Sequence, residues 1–137
     1  MAEYMLREKL GAKSIWDVSS AGTSAISGMP ASSPAIEALS EIGIDLSRHE
    51  SREFTAALAK KADVIVTMTR GHRDQLLRRF PEIKGKVFLL KELGTAPVAG
   101  DIEDPIGMSV EEYCRIRDEI AAELPDVMVY LHQTGGL

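Results

Sequence analysis

Val64-Ile65-Val66-Thr67-Met68 is a nearly continuous apolar run, and its reading decides the fold. A strand with one wet face would alternate polar and apolar residues; this run instead fits a strand buried on both faces, as in a parallel sheet. Working outward, Thr69 is placed to cap a helix over 70–80, with Leu76, Leu77 and Phe80 facing inward and Pro81 blocking its continuation. Val87-Phe88-Leu89-Leu90 repeats the buried-strand pattern. Upstream, the spacing predicts a helix over 54–62, with Ala57 and Leu58 inside, and another opened by Ser33 as cap and Pro34 at its first position. That helix carries Ile36, Leu39 and Ile42 on one side and stops at Gly43. Residues 24–33 read as loop. Residues 15–19 are short and partly β-branched, a third strand, and residues 1–10 have apolar positions at helical spacing, closed by Gly11.

Downstream, 94–107 reads as a long polar loop, followed by Ser109-x-x-Glu112, a capping box. It opens a helix with Tyr113, Ile116, Ile120, Leu124, Met128 and Leu131 inside, kinked at Pro125, and the tail 133–137 is expected to fray. The order α β α α β α β α, with apolar strands, indicates an α/β fold: a parallel sheet with helices on both faces. Folds of this kind usually open on a strand whose C-terminal end feeds the ligand-binding loop; here a helix comes first.

The 137 residues suit one domain, and 45% hydrophobic content suffices for a core. A net charge of -5 argues against nucleic acid or an anionic membrane as the partner. No apolar run approaches the ~20 residues that cross a bilayer, and Met1-Ala2-Glu3-Tyr4 does not resemble a secretory signal. The default location is the cytoplasm. Cys114 is the single cysteine, so neither an internal disulfide nor a multi-cysteine metal cluster is expected.

Gly100-Asp101-Ile102-Glu103-Asp104-Pro105-Ile106-Gly107 is the segment richest in chemistry. Pro105 fixes its own φ and restricts Asp104 to an extended form, which holds a carboxyl group in one orientation. A positioned carboxylic acid can protonate a leaving group. In isolation an Asp-Pro pair is most simply a turn.

Four further motifs precede it in order: Asp17-Val18-Ser19-Ser20-Ala21-Gly22-Thr23; Gly43-Ile44-Asp45-Leu46-Ser47-Arg48-His49 with Ser51-Arg52; Ala62-Asp63-Val64-Ile65-Val66-Thr67-Met68-Thr69; and Lys86-Val87-Phe88-Leu89-Leu90-Lys91-Glu92. In this order and spacing the chain resembles the low-molecular-weight protein tyrosine phosphatases, and within them the bacterial protein-arginine phosphatase branch. The resemblance runs from residue 1 to about residue 131. It implies a four-stranded parallel sheet and a catalytic loop, Cys-x5-Arg-Ser-Pro, after the first strand. In that family the cysteine thiolate attacks phosphorus while backbone N–H groups and the arginine hold the phosphate at a helix start. It also implies that Asp104, followed by Pro105, is the general acid. Ser20 and His49 map to polar residues that brace the phosphate loop, and no cofactor or metal is used.

Family members commonly read Met-Ala-Glu just after the catalytic loop, and this chain begins Met1-Ala2-Glu3. The expectation is therefore a single domain truncated at its N-terminus, lacking the first strand and the nucleophile. Cys114 does not replace it: no glycine-rich loop precedes it, and residue 120 is Ile. It reads as a half-buried helix cysteine. His49 alone could equally be a surface or capping histidine. His72 and His132 match no motif and read as solvated, and Arg70, His72, Arg73, Arg78 and Arg79 read as a wet helix face.

Phosphotyrosine-selective relatives place aromatics after the Asp-Pro pair and on the facing loop; here Ile106 and Ile26 form that substrate wall. Lost ring stacking, worth about 0.5–1.5 kcal/mol per pair, makes phosphoarginine the better fit. Arsenate reductases of this fold need relay cysteines, which one cysteine excludes. Three readings follow: a truncated record of an active phosphoprotein phosphatase, a pseudo-phosphatase acting as a binding or regulatory module, or a fragment completed by another chain. The chain alone is expected to be inactive, and to be unstable, aggregate or oligomerise, because an unpaired buried sheet edge is costly.

Overall fold

The computed structural model describes residues 1–23, 26–93 and 100–135. Among the described residues five α-helices and two strands follow one another as α1 Ala2–Leu10, α2 Ser33–Ser40, α3 Ala56–Lys61, β1 Ile65–Thr67, α4 Arg70–Arg79, β2 Val87–Leu89 and α5 Val110–Gly135. Short 3₁₀ turns occupy Pro81–Ile83 and Leu90–Glu92. The strands pair in parallel with Ile65 opposite Val87, Val66 opposite Phe88 and Thr67 opposite Leu89. A parallel pair needs a crossover, and α4 supplies it.

The helix boundaries follow local chemistry. Thr69 Oγ1 accepts from His72 N at 3.1 Å and Thr55 Oγ1 from Leu58 N at 3.3 Å, so both threonines cap as side chains at N-caps do. At the end of α2, Gly43 adopts φ 78°. Its N–H bonds Ser40 O at 3.0 Å while Ile44 N–H bonds Leu39 O at 3.0 Å, closing a Schellman motif. Ile42 falls in that turn and is 47% exposed, not inside as the periodicity suggested. The cap of α2 is Ser32, one residue earlier than expected; its hydroxyl makes no cap bond and instead shares a hydrogen bond with Tyr113 Oη at 3.1 Å. Leu58 is half-buried and Ala59 fully buried in α3, leaving Ala57 outside. In α5 the buried position is Val127, with Met128 half-buried. That helix continues through Pro125 to Gly135, so residues 133 and 134 belong to it and do not form a tail. Of the expected loops, residues 24–25 and 94–99 lie outside the described residues, as do 136–137.

The main core gathers Met5 of α1, Ala35, Ala38 and Leu39 of α2, Leu46, Leu90, Leu93 and Ile102, and the inward stripe of α5 from Tyr113 to Leu131. A second core under α3 and α4 holds Phe54, Ala59, Ile65, Leu76 and Ile83. Side chains of β1 reach both: Ile65 lies in the second core and Val66 packs against the first. This is the two-faced burial that the apolar run required.

One expected strand does not form. Residues 15–19 belong to neither strand, and Ile15 is 70% exposed. The physical reason is the lack of a neighbour. β1 bonds β2 along one edge, beginning with Ile65 N–H to Lys86 O at 2.7 Å. Alternate residues of a parallel strand bond opposite edges, so the N–H and C=O of Val66 face away from β2. Among the described residues no strand occupies that side. Residues 15–19 are held by other means: Val18 O accepts Nε and Nη2 of Arg7 at 2.8 and 2.6 Å.

Candidate active site

The Asp-Pro loop leaves the molecule at the C-terminal end of β1. Ile102 N–H bonds Met68 O at 2.8 Å, and Ile102 is only 2% exposed. Asp101 Oδ1 accepts the Arg70 N–H at 2.9 Å, which ties the loop to the start of α4. Pro105 is buried while Glu103 and Asp104 are exposed. Asp104 Oδ1 accepts Ile106 N–H at 3.1 Å and Pro105 O accepts Met108 N–H at 2.9 Å. The backbone is thus anchored on both sides of a carboxylate that faces solvent.

That carboxylate acts on the first turn of α1. Burial pushes the Met1 amino group below its ordinary pKa, and the charges of Glu3 and Asp104 oppose the shift. A burial penalty disfavours the cation, while nearby carboxylates favour it. The Asp104 charge thus favours the cation at the N-terminal end of α1, where backbone N–H groups lack helical partners.

Ser20 and His49 converge on that turn through one residue, Glu3. The Ser20 hydroxyl donates to Glu3 Oε1 at 2.5 Å. His49 Nδ1 lies 3.8 Å from the same oxygen, and the ring meets Tyr4 edge-on at 5.6 Å between centroids. Arg7 Nη2 sits 2.8 Å from Glu3 Oε2. The Glu3 side chain is only 8% exposed, so its charge is held by these partners and not by water. Arg52 Nε adds a 3.1 Å bond to Ser20 O. Glu3 was not singled out as a site residue from the sequence, although its Met-Ala-Glu context pointed to it.

Ile26 and Ile106 are both 75% exposed. The Ile26 loop is fastened to the segment after His49: Gly28 N–H bonds Ser51 O at 2.7 Å, Ser51 N–H bonds Met29 O at 2.7 Å, and Met29 N–H bonds Ser51 Oγ at 3.0 Å. Parallel pairing of Gly22 with Glu53 continues the fastening.

Cys114 sits on α5 and is half-buried. Its thiol donates to Glu41 Oε2 at 3.2 Å, and that carboxylate pushes its pKa up. A nucleophilic cysteine needs the opposite shift. His72 and His132 are exposed. Arg73 departs from a wet face: it is half-buried and pairs with Glu92 at 3.2 Å. No group of three or more metal-binding side chains occurs among the described residues, and no helix is long and apolar enough to cross a membrane.

The chain is similar in sequence and fold to known proteins. The sequence pattern described as low molecular weight phosphotyrosine protein phosphatase matches residues 1–135. A protein-arginine-phosphatase of Geobacillus stearothermophilus is 39% identical over 104 residues, 76% of this chain and 69% of the relative. A probable low molecular weight protein-tyrosine-phosphatase, EpsP, of Ralstonia solanacearum is 37% identical over 105 residues, 77% of this chain and 68% of the relative. The solved structure of the YwlE arginine phosphatase from Geobacillus stearothermophilus superposes with a TM-score of 0.87 at 34% identity, covering 96% of this chain and 83% of that one.

Proposed function

Because the chain belongs to the low molecular weight phosphotyrosine protein phosphatase family, we propose that these residues form the acid-bearing part of a cysteine-dependent phosphoprotein phosphatase site. The observation that carries the reading is the convergence at the start of α1. Ser20 and His49 meet there on Glu3, and the charge of Asp104 favours the cation at the amino end of that helix.

The chemistry assigned to this site is a double displacement. A thiolate attacks phosphorus and the bond from phosphorus to the leaving oxygen or nitrogen breaks. Asp104 gives its proton to the leaving atom. Water then attacks the cysteinyl phosphate, Asp104 takes the water's proton, and inorganic phosphate and the thiolate are released. The helix start favours the anion through its free N–H groups. Ser20 and His49, fixed on Glu3, brace the loop that carries the thiolate.

The 137 residues do not supply that thiolate: their single cysteine is Cys114, held protonated by Glu41. By itself the chain is therefore expected to be inactive by this route. Among the described residues no strand pairs with β1 at Val66, and that side is where a further strand would pair, feeding a phosphate loop into α1. Phosphoarginine is the favoured substrate residue, because Ile26 and Ile106 offer no aromatic face. The test is to fuse an apolar strand followed by Cys-x5-Arg-Ser-Pro ahead of Met1 and compare kcat/KM for phosphoarginine and phosphotyrosine peptides. The reading expects turnover that depends on the added cysteine, with phosphoarginine preferred. A folded fusion that binds phosphate but turns over neither substrate would leave a non-catalytic binding module.

A further inference from the structure

Three residues before Asp104, a second carboxylate is bound to the backbone of another element. Asp101 Oδ1 accepts the N–H of Arg70 at 2.9 Å, while Ile102 N–H donates to Met68 O at 2.8 Å. The two bonds run in opposite directions across one junction, where the chain leaves β1 and enters α4. Arg70 is the first residue of α4 after its cap, Thr69, so its N–H has no partner within the helix. A carboxylate at that place also meets the positive end of the helix. The Arg70 guanidinium stands off: its Nε lies 4.0 Å from the same Asp101 oxygen, and the side chain is exposed. The contact is therefore made by the Arg70 backbone more than by its charge.

The span that carries the acid is short. Ile102 and Pro105 are buried, and only Glu103 and Asp104 lie between them, both exposed. Among the described residues, the entry to this span over 100–103 makes two hydrogen bonds to the rest of the chain, and Asp101 supplies one of them. Without it the peptide before Ile102 is held on one side only. The carboxyl of Asp104 would then lose its fixed aim, although its own bond to Ile106 N–H remains.

We propose that Asp101 is a positioning residue for the reaction: bound to the first N–H of α4, it sets the aim of the Asp104 carboxyl toward the leaving atom without itself touching substrate. A misplacement of about 1 Å costs on the order of 10²-fold in rate, so a tether three residues away has leverage over the proton transfer. This inference rests on the phosphatase reading of the Asp104 site.

The first arm of the experiment uses the 137-residue chain. Asp101→Ala should speed hydrogen exchange at the Ile102 amide about tenfold and move the Ile106 amide resonance, which reads its bond to Asp104. The amides of Ile120 and Leu124 in α5 should stay as they were. Arg70→Pro removes the N–H itself. Proline is tolerated at the first helical position, and Thr69 before it is already extended at φ -128° and ψ 153°. This variant should reproduce both effects, and Arg70→Ala, which removes only the side chain, should produce neither. Unchanged Ile102 and Ile106 signals in Asp101→Ala, or equal effects of Arg70→Ala and Arg70→Pro, would overturn the tether.

The second arm uses the chain fused behind an apolar strand and Cys-x5-Arg-Ser-Pro. Asp101→Ala should lower kcat on phenyl phosphate about tenfold at unchanged KM. It should leave 4-nitrophenyl phosphate, whose leaving group departs without a proton, within about twofold. In the Asp104→Asn background it should add no further loss. Asp101→Asn, which keeps an acceptor oxygen, should recover most of the rate. Equal losses on both esters, or the same loss in the Asp104→Asn background, would overturn the positioning role. A folded fusion that turns over neither ester, beside altered exchange in the first arm, would support the tether while counting against the phosphatase reading.

Discussion

Glu3 Oε1 accepts the Ser20 hydroxyl at 2.5 Å across seventeen residues of chain. That bond, with Arg7 on the other carboxylate oxygen, ties the segment leading to Gly22 to the first turn of α1. Glu3 is nearly buried, so removing it strips charge-assisted partners from Ser20 and Arg7. Glu3→Ala should destabilise the chain by about 1–3 kcal/mol in urea unfolding. Glu3→Gln, which keeps an acceptor, should lose less. Equal stability of all three proteins would show that water already satisfies the group.

The Met1 amino group gives a pH dependence with a definite sign. Its folded pKa lies below the unfolded value, so between the two the unfolded chain binds more protons and stability rises with pH. The window runs upward from the folded value to about 8, the ordinary range for an α-amino group. Asp104→Asn removes a charge that favours the cation and should lower the folded pKa further, steepening the rise in that window. Melting the two proteins between pH 6 and 8.5 checks this. A fall in stability over that range, or no difference between the proteins, would sever the contact drawn between Asp104 and α1.

Cys114 should behave as a poor nucleophile. Glu41 stabilises its protonated form, so Glu41→Gln should move the pH midpoint of iodoacetamide alkylation downward and speed the reaction near pH 8. An unchanged profile would mean that the carboxylate does not control the thiol.

Arg117 is a structural clamp between α2 and α5. Its guanidinium is buried, donates to Ala38 O at 2.7 Å and pairs with Asp118 at 2.9 Å. Arg117→Ala would leave the Ala38 carbonyl without its partner near the end of α2 and should cost about 2–4 kcal/mol. A loss under about 0.5 kcal/mol would mark the contact as incidental.

Much of this was legible in the sequence because the relevant signals are local. Val64 to Met68 announced a strand covered on both sides, and Ile65 and Val66 do enter different cores. Thr69 and Gly43 announced a helix start and stop by chemistry that needs no tertiary partner. Failures occurred where a distant residue decides. Residues 15–19 have strand composition, but pairing depends on a neighbour beside Val66, and Arg7 takes the Val18 carbonyl instead. Ser32 yields its capping role to a bond with Tyr113, eighty-one residues away. Resemblance implies that Ser20 and His49 brace a phosphate loop, whereas the carboxylate of Glu3 that both approach is visible only in three dimensions.

The central proposal is that Asp104 serves as the proton donor to the leaving atom, opposite a thiolate that these 137 residues do not supply. The most direct measurement is kcat on phenyl phosphate, whose poor leaving group needs a proton, for the chain fused behind a strand and a Cys-x5-Arg-Ser-Pro segment, with and without Asp104→Asn. The account predicts no thiol-dependent turnover by the chain as given, clear turnover by the fusion, and a loss of about 10²–10⁴-fold in the Asn variant. Turnover by the 137 residues alone, or a fusion indifferent to Asp104→Asn, would contradict it.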